Sequence, residues 1–193
     1  MIQMRFSVLL ILVLALSAFA QTRDTVFNDP VYPFSISFPQ SWKSTGRSDS
    51  KIRLEVISDY GNGIANFVVA VSPAKGSENV PASKFVKLML EDRADLIQVI
   101  VDGSVRNGKI VEKGPTYLAN QDALYVIYEG EYRTPSDTFF VKTYFIETLF
   151  EGNVYALTFT TSKEAFPRSH ETFKDIATNF GLVPTKINIP KRP

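Results

Sequence analysis

Three consecutive stretches decide the fold: Ala123-Leu124-Tyr125-Val126-Ile127-Tyr128-Glu129-Gly130-Glu131-Tyr132-Arg133, then Thr138-Phe139-Phe140-Val141-Lys142-Thr143-Tyr144-Phe145-Ile146-Glu147-Thr148-Leu149-Phe150, then Val154-Tyr155-Ala156-Leu157-Thr158-Phe159-Thr160-Thr161. Each is rich in aromatic and β-branched residues and alternates between two faces, the pattern of a strand. In the first, Leu124, Val126 and Tyr128 oppose Tyr125, Ile127 and Glu129; in the third, Tyr155, Leu157 and Phe159 share a face. The links between them are short, and Glu151-Gly152-Asn153 reads as a turn. Parallel strands need a crossover of a dozen residues or more, so this spacing predicts antiparallel neighbours.

Working outward, Lys109–Tyr117 reads as a weaker strand that follows an Asn107-Gly108 turn and breaks near Gly114-Pro115. Before it, Ala82–Ile100 changes period. Phe85, Leu88, Met89, Leu96, Ile97 and Ile100 recur at three- and four-residue steps, with Lys84, Lys87, Glu91, Arg93 and Asp95 on the other side. This predicts an amphipathic helix lying on a sheet, with Ser83 as its cap and Asp102-Gly103 as its stop. Lys51–Ser58 and Ile64–Ser72 alternate around Asp59-Tyr60-Gly61-Asn62-Gly63, a turn whose Asn-Gly pair accepts positive φ, and so predict a hairpin. Phe34, Ile36 and Phe38 alternate with serines between Pro33 and Pro39, and Trp42 is expected to fold back over the core edge. A short edge strand is expected at Thr25–Asn28. At the far end, residues 167–180 predict a helix with Phe173, Ile176, Ala177 and Phe180 inward and Gly181 at C′. The class is α+β: an antiparallel sheet with helices on its faces, an α/β/α sandwich.

The domain plan follows. Residues 1–20 have the form of a signal peptide, with Arg5, the apolar run Phe6–Leu16 and the small-x-small triplet Ala18-Phe19-Ala20. The run is short of the roughly 20 residues that cross a bilayer. Residues 21–31 form a lead-in, 32–183 the domain, and 184–193 a flexible tail carrying Lys186, Lys191 and Arg192. Cleavage after Ala20 leaves 20 basic and 20 acidic residues, so no basic excess exists to track nucleic-acid phosphates. With no Cys and one His in 193 residues, disulfides, thiolate metal sites, a cysteine nucleophile and multi-histidine metal sites are excluded. No membrane span is expected after cleavage.

Few residues carry candidate chemistry. His170 lies in the polar run Pro167-Arg168-Ser169-His170-Glu171 and reads as a solvated helix residue rather than a base. Ser41 and Ser169 lack a nucleophile elbow, and Gly61-Asn62-Gly63 lacks the strand-to-helix context of a phosphate loop. Glu129 and Glu131, two apart on one strand, share a face on which Glu147 from the next strand could join them. Such a set would offer oxygens to calcium or serve a carboxylate-dependent hydrolase. The competing reading, which we favour, is a wet sheet face balanced by Lys142 and Arg133. Trp42 and Tyr117, Tyr125, Tyr128, Tyr132, Tyr144 and Tyr155 could line a groove but more often form core. No catalytic residue or cofactor site is assigned.

Two stretches resemble a known family. Phe34-Ser35-Ile36-Ser37-Phe38-Pro39-Gln40-Ser41-Trp42-Lys43 is similar to the opening of the PsbP-like domain, "aromatic-x-Ile-x-aromatic-Pro-x-x-Trp". Phe166 through Phe173-Lys174-Asp175-Ile176-Ala177-Thr178-Asn179-Phe180 resembles its closing helix and terminal Ser-Phe, with Asn179 in place of Ser. Between them, Leu118–Tyr125 sits where the family turns into a strand, with Gln121 replacing its usual Gly. The resemblance implies a helix–sheet–helix sandwich, also found in a nuclear Ran-binding factor, and proteins that bind and stabilise rather than catalyse. Photosynthetic members are extrinsic lumenal proteins of photosystem II linked to calcium and chloride retention. The lipidated Cys of cyanobacterial forms and the long N-terminal segment of plant forms are absent here. The expectation is an exported, non-enzymatic accessory domain with a protein partner, in the periplasm or outside the cell, or in a thylakoid lumen if the source is photosynthetic. The alternative is a small-ligand or calcium-binding protein.

Overall fold

The computed structural model describes residues 24–47, 49–60, 63–135 and 137–183. The leader 1–20, the tail 184–193 and the turn pair Gly61-Asn62 lie outside the described residues.

The expected sheet is present, with seven strands. In chain order the strands are β1 (Asp24–Asn28), β2 (Phe34–Pro39), β3 (Lys43–Ser44), β4 (Ile52–Tyr60), β5 (Gly63–Pro73), β6 (Arg106–Leu118), β7 (Gln121–Arg133), β8 (Thr138–Phe150), β9 (Asn153–Ser162) and β10 (Gly181–Leu182). The main sheet runs β3-β4-β5-β9-β8-β7-β6, and a separate small sheet runs β1-β2-β10. Every pairing is antiparallel. The β8–β9 turn is tight: Phe150 pairs with Asn153, and Glu151 and Gly152 both take positive φ (47° and 74°). These angles match the twist of two-residue hairpins. The β6–β7 turn uses the same device at Ala119 and Asn120 (φ 50° and 61°), without any glycine.

One face of the main sheet carries the larger core. Val56, Phe67, Val69, Tyr155, Leu157, Phe159, Tyr144 and Ile146 point into it. They meet the small sheet's Phe34, Ile36 and Phe38 and the helix α3 (Phe166–Thr178), whose Phe173, Ile176 and Ala177 are buried. Phe173 stacks on Phe159 at 4.9 Å and lies 5.7 Å from Phe67. Trp42 is 4% exposed and 6.1 Å from Phe159, so it closes the core edge as expected. On the opposite face α1 (Ala82–Lys87) and α2 (Ala94–Ser104) cover β6, β7 and β8. Between them Leu88–Asp92 forms a π-helical turn. Val86, Met89, Ile97 and Val101 pack there on Leu124, Val126, Tyr128 and Phe145.

Several expectations need correction. The strand of Phe34, Ile36 and Phe38 belongs to the small sheet, not the main one. The edge strand expected at Thr25–Asn28 is present as β1, one residue longer, and pairs with β2 along its length. The single helix expected over 82–100 is two helices with a π turn, and it extends to Ser104. The π turn shifts the inward stripe, so Leu88 is 42% exposed while Val86 and Val101 are buried. Ser83 makes no capping bond; Pro81 occupies that position. Asn107-Gly108 is an irregularity inside β6 rather than a turn before it, and β6 runs through Gly114-Pro115. Pro115 is tolerated because β6 is the sheet's edge and its outer side bonds to no strand. Gly181 is not a left-handed cap; it starts β10 and pairs with Ser35.

Candidate functional site

The register separates the three candidate acids. Glu129 pairs with Lys142, while Glu147 pairs with Leu124. Glu147 therefore stands five residues along β8 from the position opposite Glu129, about 17 Å at ~3.4 Å per residue. The odd offset also puts them on opposite faces. The convergence of Glu129, Glu131 and Glu147, the less favoured of the two readings, does not occur. Glu129 Oε2 instead meets Lys163 Nζ at 3.2 Å. Glu131 accepts hydrogen bonds from Asn107 Nδ2 and Arg133 Nη2, each at 3.2 Å. Among the described residues no group of three or more His, Cys, Asp or Glu is placed to hold a metal ion.

Glu147 lies on the helix-covered face. Leu124 and Ala156 flank it across the neighbouring strands, and Phe145 and Leu149 flank it along its own. Its Oε2 is buried without a hydrogen-bond partner. Burial alone pushes its carboxyl up to about 7, because a low-dielectric surrounding disfavours the charged form.

His170 is not the solvated residue expected. It is half-buried, stacks on Phe166 at 5.0 Å and meets the edge of Tyr144 at 5.0 Å. Its Nε2 is buried and unpartnered. Burial, reinforced by Lys174, lowers the imidazole below its ordinary value. Tyr144 stacks on Tyr125, whose hydroxyl donates to Glu112 at 2.6 Å. This row has no nucleophile within it. Of the aromatic candidates, Trp42, Tyr128, Tyr144 and Tyr155 are buried, whereas Tyr117 and Tyr132 are exposed.

Three exposed aromatic rings, Tyr132, Phe139 and Phe140, cluster at the turn end of the β7–β8 hairpin. Tyr132 pairs directly with Phe139, and Phe140 follows on the other face. Their exposures are 52%, 49% and 46%. Two ion pairs border them, Arg133–Glu131 and Lys163–Glu129. Lys163 Nζ also lies 5.1 Å from the Phe140 ring centre. Rings so exposed gain little in the isolated chain; the two ion pairs lie on the Phe140 face, since Glu131 is opposite Phe140. Of this group the sequence reading had singled out Tyr132, Glu129, Glu131 and Arg133; the two phenylalanines were legible only as strand residues.

Comparison with known proteins gives a fold. A scan against protein families and a search of curated proteins each found no match. Among solved structures, the cyanobacterial PsbP (CyanoP) of Synechocystis sp. PCC 6803 superposes with a TM-score of 0.55 and 11% identity, covering 86% of this chain and 95% of its own. LpqN, involved in cell envelope biogenesis of Mycobacterium tuberculosis, gives 0.52 at 13% identity, covering 84% and 91%. The Ran-binding protein Mog1p of Saccharomyces cerevisiae gives 0.52 at 6% identity, covering 86% and 98%. At such identities the likeness is one of architecture alone. The chain has a PsbP-like α+β fold.

Proposed function

We propose that this protein is an exported, non-catalytic accessory domain that works by docking on a protein partner through the end of the β7–β8 hairpin. The observation that carries the reading is the trio Tyr132, Phe139 and Phe140, half exposed at the turn end of one hairpin, with Tyr132 and Phe139 cross-strand neighbours on one face and Phe140 on the other. Aromatic anchors of this kind dominate protein interfaces, where truncating one costs about 2 kcal/mol or more of binding. The fold is compatible with such a role, since Mog1p is a Ran-binding protein and LpqN is involved in cell envelope biogenesis. Export rests on the leader pattern of residues 1–20. Among the described residues no helix is long and apolar enough to cross a membrane.

Quantitative cross-linking in cells of the source organism, wild type against the Tyr132→Ser/Phe139→Ser double variant, tests the reading. A protein adduct formed through the hairpin and reduced at least tenfold in the double variant supports it. Equal adducts from both proteins would sink it. The calcium-binding alternative makes a different prediction: millimolar calcium would raise the melting temperature, because a ligand of the native state must stabilise it. The docking reading predicts no such rise.

A further inference from the structure

The irregularity at the start of β6 holds chemistry that neither the core nor the docking surface uses. Register passes from Arg106 opposite Glu131 straight to Lys109 opposite Glu129. Asn107 and Gly108 therefore share the place opposite Gly130, and neither has a ladder partner. This two-against-one arrangement is that of a β-bulge, with its first residue, Asn107, at φ 53°. Asparagine is one of the few residues with a side chain that visits this left-handed region routinely. The Asn107 side chain lies on an exposed residue of an edge strand. Its Nδ2 donates to Glu131 Oε1 at 3.2 Å, and the other oxygen of that carboxylate accepts from Arg133 Nη2 at 3.2 Å. Glu131 is thus held by an amide donor on one side and a guanidinium on the other.

An asparagine followed by glycine sets an electrophile beside a nucleophile. Closure of the residue 108 nitrogen on the residue 107 side-chain carbonyl makes a five-membered ring, and a glycine there has no Cβ to obstruct it. A regular strand suppresses this reaction, because ladder bonds hold both peptide units until the strand opens locally. The bulge removes residues 107 and 108 from that protection. The glycine has its own reason to be there. A Cβ at 108 would lie 2.5 Å from Val101 Cγ1 on α2, so packing keeps a glycine after Asn107 whatever the chemical cost.

We propose that Asn107-Gly108 is a self-modification site of the folded protein, at which the amide that faces Glu131 is exchanged for a carboxylate. The Gly108 nitrogen gives its proton to solvent base and bonds to Asn107 Cγ. The Cγ–Nδ2 bond breaks, and Nδ2 takes a proton from water and departs as ammonia. Water then opens the cyclic imide at either carbonyl. One opening leaves aspartate in the original chain; the other leaves isoaspartate, with the chain routed through the former side chain. No oxidant or reductant takes part. Either product lacks the Nδ2 donor, so the bond to Glu131 is lost and this end of the hairpin gains one negative charge.

Peptide mapping of the purified protein, held at mildly alkaline pH either native or unfolded in urea, tests the chemistry. Conversion adds about one dalton to the peptide containing residue 107 and gives it aspartyl and isoaspartyl forms. The map separates this peptide from the one containing Asn62-Gly63, the other Asn-Gly pair in the sequence. Native conversion at residue 107 is expected within about tenfold of the rate in urea, whereas a ladder-bound pair would lag by the equilibrium constant for local opening. Amide hydrogen exchange reads the lost contact. Asn107→Asp should speed exchange across residues 106–110 about threefold. Adding Glu131→Gln should slow it again, because a glutamine amide can donate to the new carboxylate. Asn107 left intact in the native protein after the unfolded chain has converted would overturn the proposal. So would exchange in the double variant no slower than in Asn107→Asp.

Discussion

At the residue scale, Asp29 shows how a side chain in an unpromising loop can fasten two sheets together. Its Oδ1 accepts the amides of Val31 and Tyr32 at 2.8 and 2.7 Å, closing the turn that leads into β2. Its Oδ2 accepts from Arg53 Nε on β4 at 2.9 Å, with the Asp29 side chain 1% exposed and that of Arg53 14%. The Arg53 guanidinium lies 5.4 Å from the centre of the Tyr32 ring. Burial pulls the Asp29 carboxyl upward, but the Arg53 bond and the two amides outweigh it and hold the group below its ordinary value. Removing one partner strands the other charge, so Asp29→Ala should lower stability by about 3 kcal/mol at pH 7, measured by urea unfolding. A depressed carboxyl contributes stability that is present above its unfolded value of 3.8 and is lost as pH falls through the folded one. The gap between variant and wild type should therefore close only in strong acid.

At the element scale, glycines report how closely the helical cover approaches the sheet. A Cβ on Gly130, in β7, would lie 2.6 Å from Val105 Cγ2 and 2.8 Å from the Arg106 carbonyl oxygen. The carbonyl belongs to the backbone of β6 and cannot swing aside. Gly130→Ala should cost about 2 kcal/mol by overpacking, read as a fall in the urea midpoint at unchanged slope. Gly103, near the end of α2, is the contrasting case: a Cβ there meets nothing within 4 Å, and the backbone is helical. Gly103→Ala should stabilise by about 0.5 to 1 kcal/mol through helix propensity alone. Opposite signs from the same substitution in the same assay would confirm that the close approach, rather than glycine itself, sets the outcome.

At the scale of the whole molecule, the main sheet has two unequal sides. The larger core lies between it and the layer of α3 and the small sheet, and is dominated by rings: Phe67, Phe159, Phe173, Tyr155 and Phe34. With no cysteine in the chain, no disulfide supports this layer. Phe173 joins α3 to three sheet residues, Phe67, Tyr144 and Phe159. Phe173→Ala should cost about 4 kcal/mol, and far-UV and fluorescence transitions should shift together because helix and sheet share one core. The smaller core, on the helix-covered side, contains the unpaired Glu147. It is the side expected to open first, as regions with fewer buried apolar contacts do.

Local pattern alone determined the longer strands, their antiparallel hairpins and the inward faces of β2, β9 and α3, though not the two-residue strands β3 and β10, because a two-residue or 3.6-residue period survives whatever the chain packs against. It also singled out Tyr132, Glu129, Glu131 and Glu147. The split into two sheets was decided only by tertiary structure, since Phe34–Pro39 has the same alternation wherever it pairs. The π turn shifted the stripe of the 82–104 segment by packing, and Asn107-Gly108 became a bulge because β6 continues through it. The fate of Glu147 depended on register: a strand pattern tells which residues share a face of one strand, but not how far that strand slides against the next. That slide carried Glu147 away from Glu129 and Glu131 and set it on the helix-covered face, where burial rather than a neighbouring charge governs its proton.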